Sequence, residues 1–122
     1  MIYTGYYAKA SKYSEAGLKV ISISRTEPGF AEIDGKIWEL CPSSDILWDH
    51  KEGRIGDEEY IERYNSQLDA LGIRKVLTLI HHCGDDLVLT CWEAPGKFCH
   101  RHILADYINK YTKLEITEYK IN

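Results

Sequence analysis

The 122-residue sequence has no excess of basic charge, no long apolar run and no glycine-rich phosphate loop, and each absence removes a class of function. Fifteen Lys and Arg stand against nineteen Asp and Glu, a formal net charge of -4, so the chain as a whole is not drawn to a phosphate backbone. No stretch approaches the roughly 18 apolar residues that cross a bilayer, so no membrane partner is expected. The opening MIYTGYYAKA lacks a basic head followed by an apolar run, and a cytoplasmic location is the expectation. Internal repeats and low-complexity tracts are missing as well. The four cysteines, Cys41, Cys83, Cys91 and Cys99, carry no two-residue metal knuckle and no sign of export, so reduced thiols are expected.

What is present is ordinary globular material, 44% hydrophobic and 28% charged, long enough for one domain over residues 1–122. A chain of this size buries roughly two thirds of its unfolded surface, which means one real core. Eleven acids fall in residues 1–61 and eight in 62–122, against seven and eight basic residues, so an anion site is easier to build in the second half.

IYTGY (2–6), LKVISIS (18–24) and DDLVLTC (85–91) read as strands, the last buried on both faces because its apolar run is short and bounded by polar turns. A short helix fits between the first two, ending at Gly17. Two helical stripes follow Asp57. One carries Tyr60, Ile61, Tyr64, Leu68 and Leu71 and ends at Gly72; the other carries Ile73, Val76, Leu77, Ile80 and Cys83 and ends at Gly84, its β-branched content also allowing a strand. A third helix starts near Cys99 and EITEYKI (115–121) closes the chain as an edge strand. Residues 25–56 lack periodicity and read either as a binding loop or as short turns packed by Trp38 and Trp48. The pattern predicts an α/β fold with a mostly parallel sheet of about four strands and helices on one or both faces.

The densest chemistry is C-W-E-A-P-G-K-F-C-H-R-H, from Cys91 at a strand end to His102 in a helix start. Ligands of parallel sheets bind at strand carboxyl ends facing helix amino ends. Cys99 at that helix start is the candidate nucleophile, because the helix dipole and nearby cations lower a thiol pKa. His100 is the candidate acid or base and Glu93 a second one, while His102 is expected at the surface or in packing. Arg101 offers a planar pair of donors to phosphate or carboxylate, and Arg25, Cys91 and Tyr6 are placed with it as ligand-binding residues. Ser22 and Ser24, polar groups in an apolar strand, support a site near Arg25. His81, His82, Cys83, Cys91, Cys99, His100 and His102 together supply enough soft ligands for zinc, but a tetrahedral site would need Cys83, Cys91 and Cys99 to converge, and Cys83 sits on its helix's apolar stripe; no metal or other cofactor is expected.

LVLTCWEAPGKFCHRHILADYI resembles the family known as domain of unknown function 488, in which a strand ending in Cys and Glu precedes Cys-His-Arg at a helix start. IYTGYY, VISISRTEPGF and LCPSSDILWDHKEGRIGDEEYIERYNSQL are similar to its opening strand, second strand and middle section. The resemblance places Arg25, Cys91, Glu93, Cys99, His100 and Arg101 at family positions and implies an α/β fold with a polar pocket, without an activity, substrate or cofactor.

The reading that follows is a protein with an anion-binding pocket, an enzyme acting on a phosphate-bearing or nucleotide-like substrate. A noncatalytic nucleotide or nucleic-acid binder is the first alternative, with nucleic acid disfavoured by the net acidity, and a structural or interaction domain the second. The Cys-His-Arg order disfavours a phosphatase loop, where a run of amides separates cysteine from arginine.

Overall fold

The computed structural model describes residues 1–121. Its strands are β1 (Ile2–Tyr6), β2 (Lys19–Ser22), β3 (Gly35–Lys36), β4 (Leu87–Cys91) and β5 (Thr117–Glu118). They form one parallel sheet in the order β3-β2-β4-β1-β5. The sheet therefore has five strands where about four were expected. The extra one is the two-residue β3, too short for any alternation to show. β4 pairs with both β1 and β2 and is buried along its whole length, as its continuous apolar run requires.

Five α-helices connect the strands: α1 (Ala10–Glu15), α2 (Ser44–Lys51), α3 (Asp57–Leu71), α4 (Ile73–Cys83) and α5 (His100–Tyr111). Alternation along the strands sends Leu87, Leu89, Ile21 and Ile23 into the main core with residues of α2 to α5. Val20 and Val88 face the other way, into a smaller cluster with Ala10 and Tyr13. Both faces are thus covered, unequally.

α3 begins with Asp57, Glu58 and Glu59 in its first turn, complementing the helix dipole, and turns into α4 at Gly72, whose φ of 85° suits a residue without a Cβ. Tyr60, Tyr64 and Leu68 of α3 are buried, whereas Ile61, expected on the same stripe, is 37% exposed. Residues 25–56, expected as a binding loop or short turns, hold a strand, β3, a 3-10 turn at Trp38–Leu40, and the helix α2, capped by the Ser43 hydroxyl on the Ile46 amide at 3.4 Å. Trp38 and Trp48 are both more than half exposed, and their contacts within the segment are with the ammonium groups of Lys36 and Lys51 rather than with a local core.

Candidate functional site

β4 continues the inward row Leu87, Leu89 with Cys91, and the loop after it returns the chain so that Cys99 is the residue before α5. The two sulfurs meet and are bonded in the structure, where reduced thiols were expected. Cys41 and Cys83 are free, and Cys83 on α4 is outside this cluster.

His100 opens α5 and is buried, its ring edge-on to Tyr64. Its Nε2 lies 2.5 Å from the Ile23 carbonyl oxygen. A carbonyl only accepts, so Nε2 carries the hydrogen and Nδ1 keeps its lone pair. That lone pair lies 3.8 Å from Cys99 Sγ. With the sulfurs bonded, burial, partly offset by the Ile23 hydrogen bond and reinforced by the Arg101 charge, holds the imidazole down to about 4, neutral at physiological pH. The Sγ atoms of Cys91 and Cys99 and a ring nitrogen of His100 lie within 4.8 Å of one another.

Arg101 is fully buried, the largest such side chain in the described residues. Its Nε and Nη2 donate to the two carboxylate oxygens of Glu118 at 3.0 and 2.8 Å. Its Nη1 donates to Cys91 Sγ at 3.0 Å and to the Glu93 carbonyl at 2.6 Å. The fork expected to hold a ligand is therefore occupied by the protein itself. Burial raises the Glu118 carboxyl, but hydrogen bonds from Arg101 and from Thr4, with the guanidinium charge, outweigh it and leave its pKa lowered.

The other sequence candidates are distributed around this cluster. The Tyr6 ring lies beside the Arg101 guanidinium, 5.9 Å away. Glu93 reaches the cluster only through its backbone carbonyl, and its carboxylate is exposed. Arg25 is exposed, and its guanidinium makes no hydrogen bond or ion pair among the described residues; its carbonyl accepts from Lys36 at 2.8 Å. His102 is half-buried, and its Nε2 has no partner among the described residues.

A row of hydroxyls stands at the ends of β1 and β2. Tyr7 is bonded to Ser22 Oγ at 2.8 Å and to Ser24 Oγ at 2.5 Å, and Ser22 donates to Glu27, which pairs with Lys36. Trp92, next to Cys91, donates its indole N–H to the Thr26 carbonyl at 2.9 Å and meets Tyr7 edge-on, yet remains 48% exposed. Two surface depressions lie elsewhere, one around Asp57, Glu58 and Glu62, the other of about 250 Å³ between α3 and α5. No cluster residue lines either.

Sequence reasoning missed Glu118. Its one signal is alternation: two residues after the buried Ile116, it falls on the inward row of a strand, where an acid needs a cation. It also missed the Ile23 carbonyl, which no side-chain pattern reveals.

A family model described as the active DUF488-N3 subclade matches residues 3–112. The chain belongs to this DUF488-N3 family. The match covers the strand end with Cys91, the Cys99-His100-Arg101 run and the Ser22–Arg25 segment, as the resemblance of the sequence implied. Comparison with curated proteins found no match, and comparison with solved structures found none. Among the described residues no helix is long and apolar enough to cross a membrane.

Proposed function

We propose that this DUF488-N3 protein is an enzyme acting on a small phosphate-bearing or nucleotide-like substrate at the carboxyl ends of β1, β2 and β4. In its reduced form Cys99 is the nucleophile and His100 its base. The observation that carries this reading is the fixed tautomer of His100. A nucleophile, a base whose lone pair faces it, and a third group orienting that base form the arrangement by which thiols and hydroxyls are activated. Here they are Cys99, Nδ1 of His100 and the Ile23 carbonyl.

His100 takes the Cys99 proton, and the opposite charge of the resulting thiolate raises the imidazole's affinity for it. The thiolate forms a bond to the electrophilic centre of the substrate while the bond to the leaving group breaks, and the leaving group departs with the proton that His100 took from Cys99. Water then releases the covalent product. The Arg101 fork is committed to Glu118, so the substrate's negative charge falls to Arg25 and to the first amides of α5, which lack a side-chain cap. The immobilised, half-bare Trp92 beside Cys91 supports a base or other flat group stacked there. The matched family is described as an active subclade, which is in keeping with catalysis.

The burial of Arg101 and its ties to Glu118, Cys91 and Glu93 favour a second reading, in which the same cluster joins α5 to the sheet and does no chemistry. Alkylation separates the two. In reduced Cys91→Ser protein, Cys99 is expected to react with iodoacetamide at pH 7 faster than an unperturbed thiol, and His100→Asn is expected to slow it by about tenfold or more. A slow Cys99 indifferent to His100→Asn selects the structural reading.

A further inference from the structure

We propose that the reduced form of the Cys91, Cys99 and His100 cluster is a binding site for a soft divalent metal ion, zinc by its chemistry. Cys83, whose convergence the sequence reading required, is elsewhere, and His100, another of the soft donors in the sequence, stands with the two sulfurs instead. Two thiolates and an imidazole form a donor set that selects zinc over magnesium or calcium, and three protein ligands with a fourth position open is a common zinc arrangement.

Three observations beyond the ligand types support the site. Nε2 of His100 donates to the Ile23 carbonyl, which is how a metal-bound histidine is usually oriented, and Nδ1 faces the sulfurs. The Cα atoms of Cys91 and Cys99 stand 7.4 Å apart. That span lets the reduced side chains open to the roughly 3.8 Å between sulfurs that two zinc–sulfur bonds of about 2.3 Å require at a tetrahedral angle. Finally, Arg101 Nη1 already donates to Cys91 Sγ at 3.0 Å, so that sulfur has its outer partner in place. The charges also close: a dication against two thiolates, and Arg101 against Glu118.

Filling the site starts from the oxidised pair of the structure. A dithiol reductant supplies two electrons and two protons to the bond and leaves as its own cyclic disulfide; both thiols then give their protons to the medium as the metal binds. All three residues are buried, and the three protein donors leave a fourth position for a water molecule. Binding itself does not depend on the enzymatic reading. Its consequence does: an ion holding Cys99 Sγ and His100 Nδ1 removes nucleophile and base together, so zinc would silence the proposed enzyme.

The test is cobalt(II) titration of the full chain after reduction and anaerobic removal of the reductant. The expected result is one cobalt per chain, with thiolate-to-cobalt charge-transfer absorption, tetrahedral visible bands and bleaching by zinc. Cys91→Ser and Cys99→Ser should each remove most of the charge-transfer absorption, and His100→Asn should weaken binding at least about tenfold. A joint His81→Ala and His82→Ala change should alter nothing. Should a cluster variant fail to fold, the oxidised parent is the control, being the same chain with its sulfurs withdrawn. No charge-transfer band in the reduced parent, or a band that survives oxidation of the Cys91–Cys99 pair, overturns the site. Alkylation of metal-free Cys99 reports separately on the nucleophile, so either idea can fail alone.

Discussion

Glu118→Gln isolates the charge that neutralises Arg101 while keeping the shape of the side chain. In the parent, a fully buried guanidinium faces a carboxylate whose side chain is 22% exposed, through bonds at 3.0 and 2.8 Å. Removing one partner of a buried pair costs about 3–5 kcal/mol because the other charge is left uncompensated. The partial exposure of Glu118 and the oxygen retained by Gln place this change near the lower end, about 3 kcal/mol, a large share of the stability of a domain this size. Combining Arg101→Met with Glu118→Leu removes both charges. It also strips the Glu93 carbonyl of its donor, a loss of about 1–3 kcal/mol, so the double variant should fall below the parent yet above Glu118→Leu alone. Urea unfolding at pH 7, followed by circular dichroism and tryptophan fluorescence with the Cys91–Cys99 pair kept oxidised throughout, measures each corner of the cycle. A Glu118→Gln loss under about 1 kcal/mol would refute the argument, and so would effects of Arg101→Met and Glu118→Leu that add within about 0.5 kcal/mol, since coupled charges cannot be additive.

The same carboxylate sets an acid limit. Its folded pKa is lowered, so the stability it contributes is complete above its unfolded value of about 4.3 and is lost as pH falls through the lower folded value; unfolding followed downward from pH 5 should show a loss that Glu118→Gln lacks. Tyr64→Phe should cost about 1–3 kcal/mol in urea unfolding, because the buried Leu40 carbonyl loses the hydroxyl now 2.5 Å away; a cost near zero would mean that water replaces it. Gly5→Ala should destabilise by about 1–3 kcal/mol or more, since its Cβ would come within 2.7 Å of Tyr13 Cε2 in a ring that is fully buried. Unchanged thermal stability of that variant would show that the Tyr13 ring moves freely.

Legibility in the sequence followed the length over which a pattern repeats. α3 is bounded correctly because its stripe runs for several turns and ends at Gly72, and β4 because a five-residue apolar run between polar turns has few other homes; α4 has its bounds at Ile73 and Gly84 in the sequence, but its β-branched residues leave helix and strand both open until the packing decides. β3 was invisible, being two residues held by pairing to Ile21 and Ser22, and α2 was missed although Ser43 and Asp45 carry its start signal. Within the candidate site, Cys91, Cys99, His100 and Arg101 could be grouped because a strand end and a helix start fix them locally. The group's meaning depends on Ile23 and Glu118, which lie 77 and 17 residues away from their partners and are supplied by tertiary structure alone.

β5 is only two residues long, and the family match stops at residue 112, before it begins. A boundary drawn at that point for expression or domain transplantation would look generous, since it keeps every helix and every member of the Cys-His-Arg cluster. It would nonetheless sever Glu118 from Arg101 and uncover the edge of β1 that β5 now pairs with. The excised piece would carry a buried, unneutralised cation and an open strand edge, a combination that invites aggregation. The final segment is thus part of the folding unit, and useful fragments of this chain extend at least through Glu118.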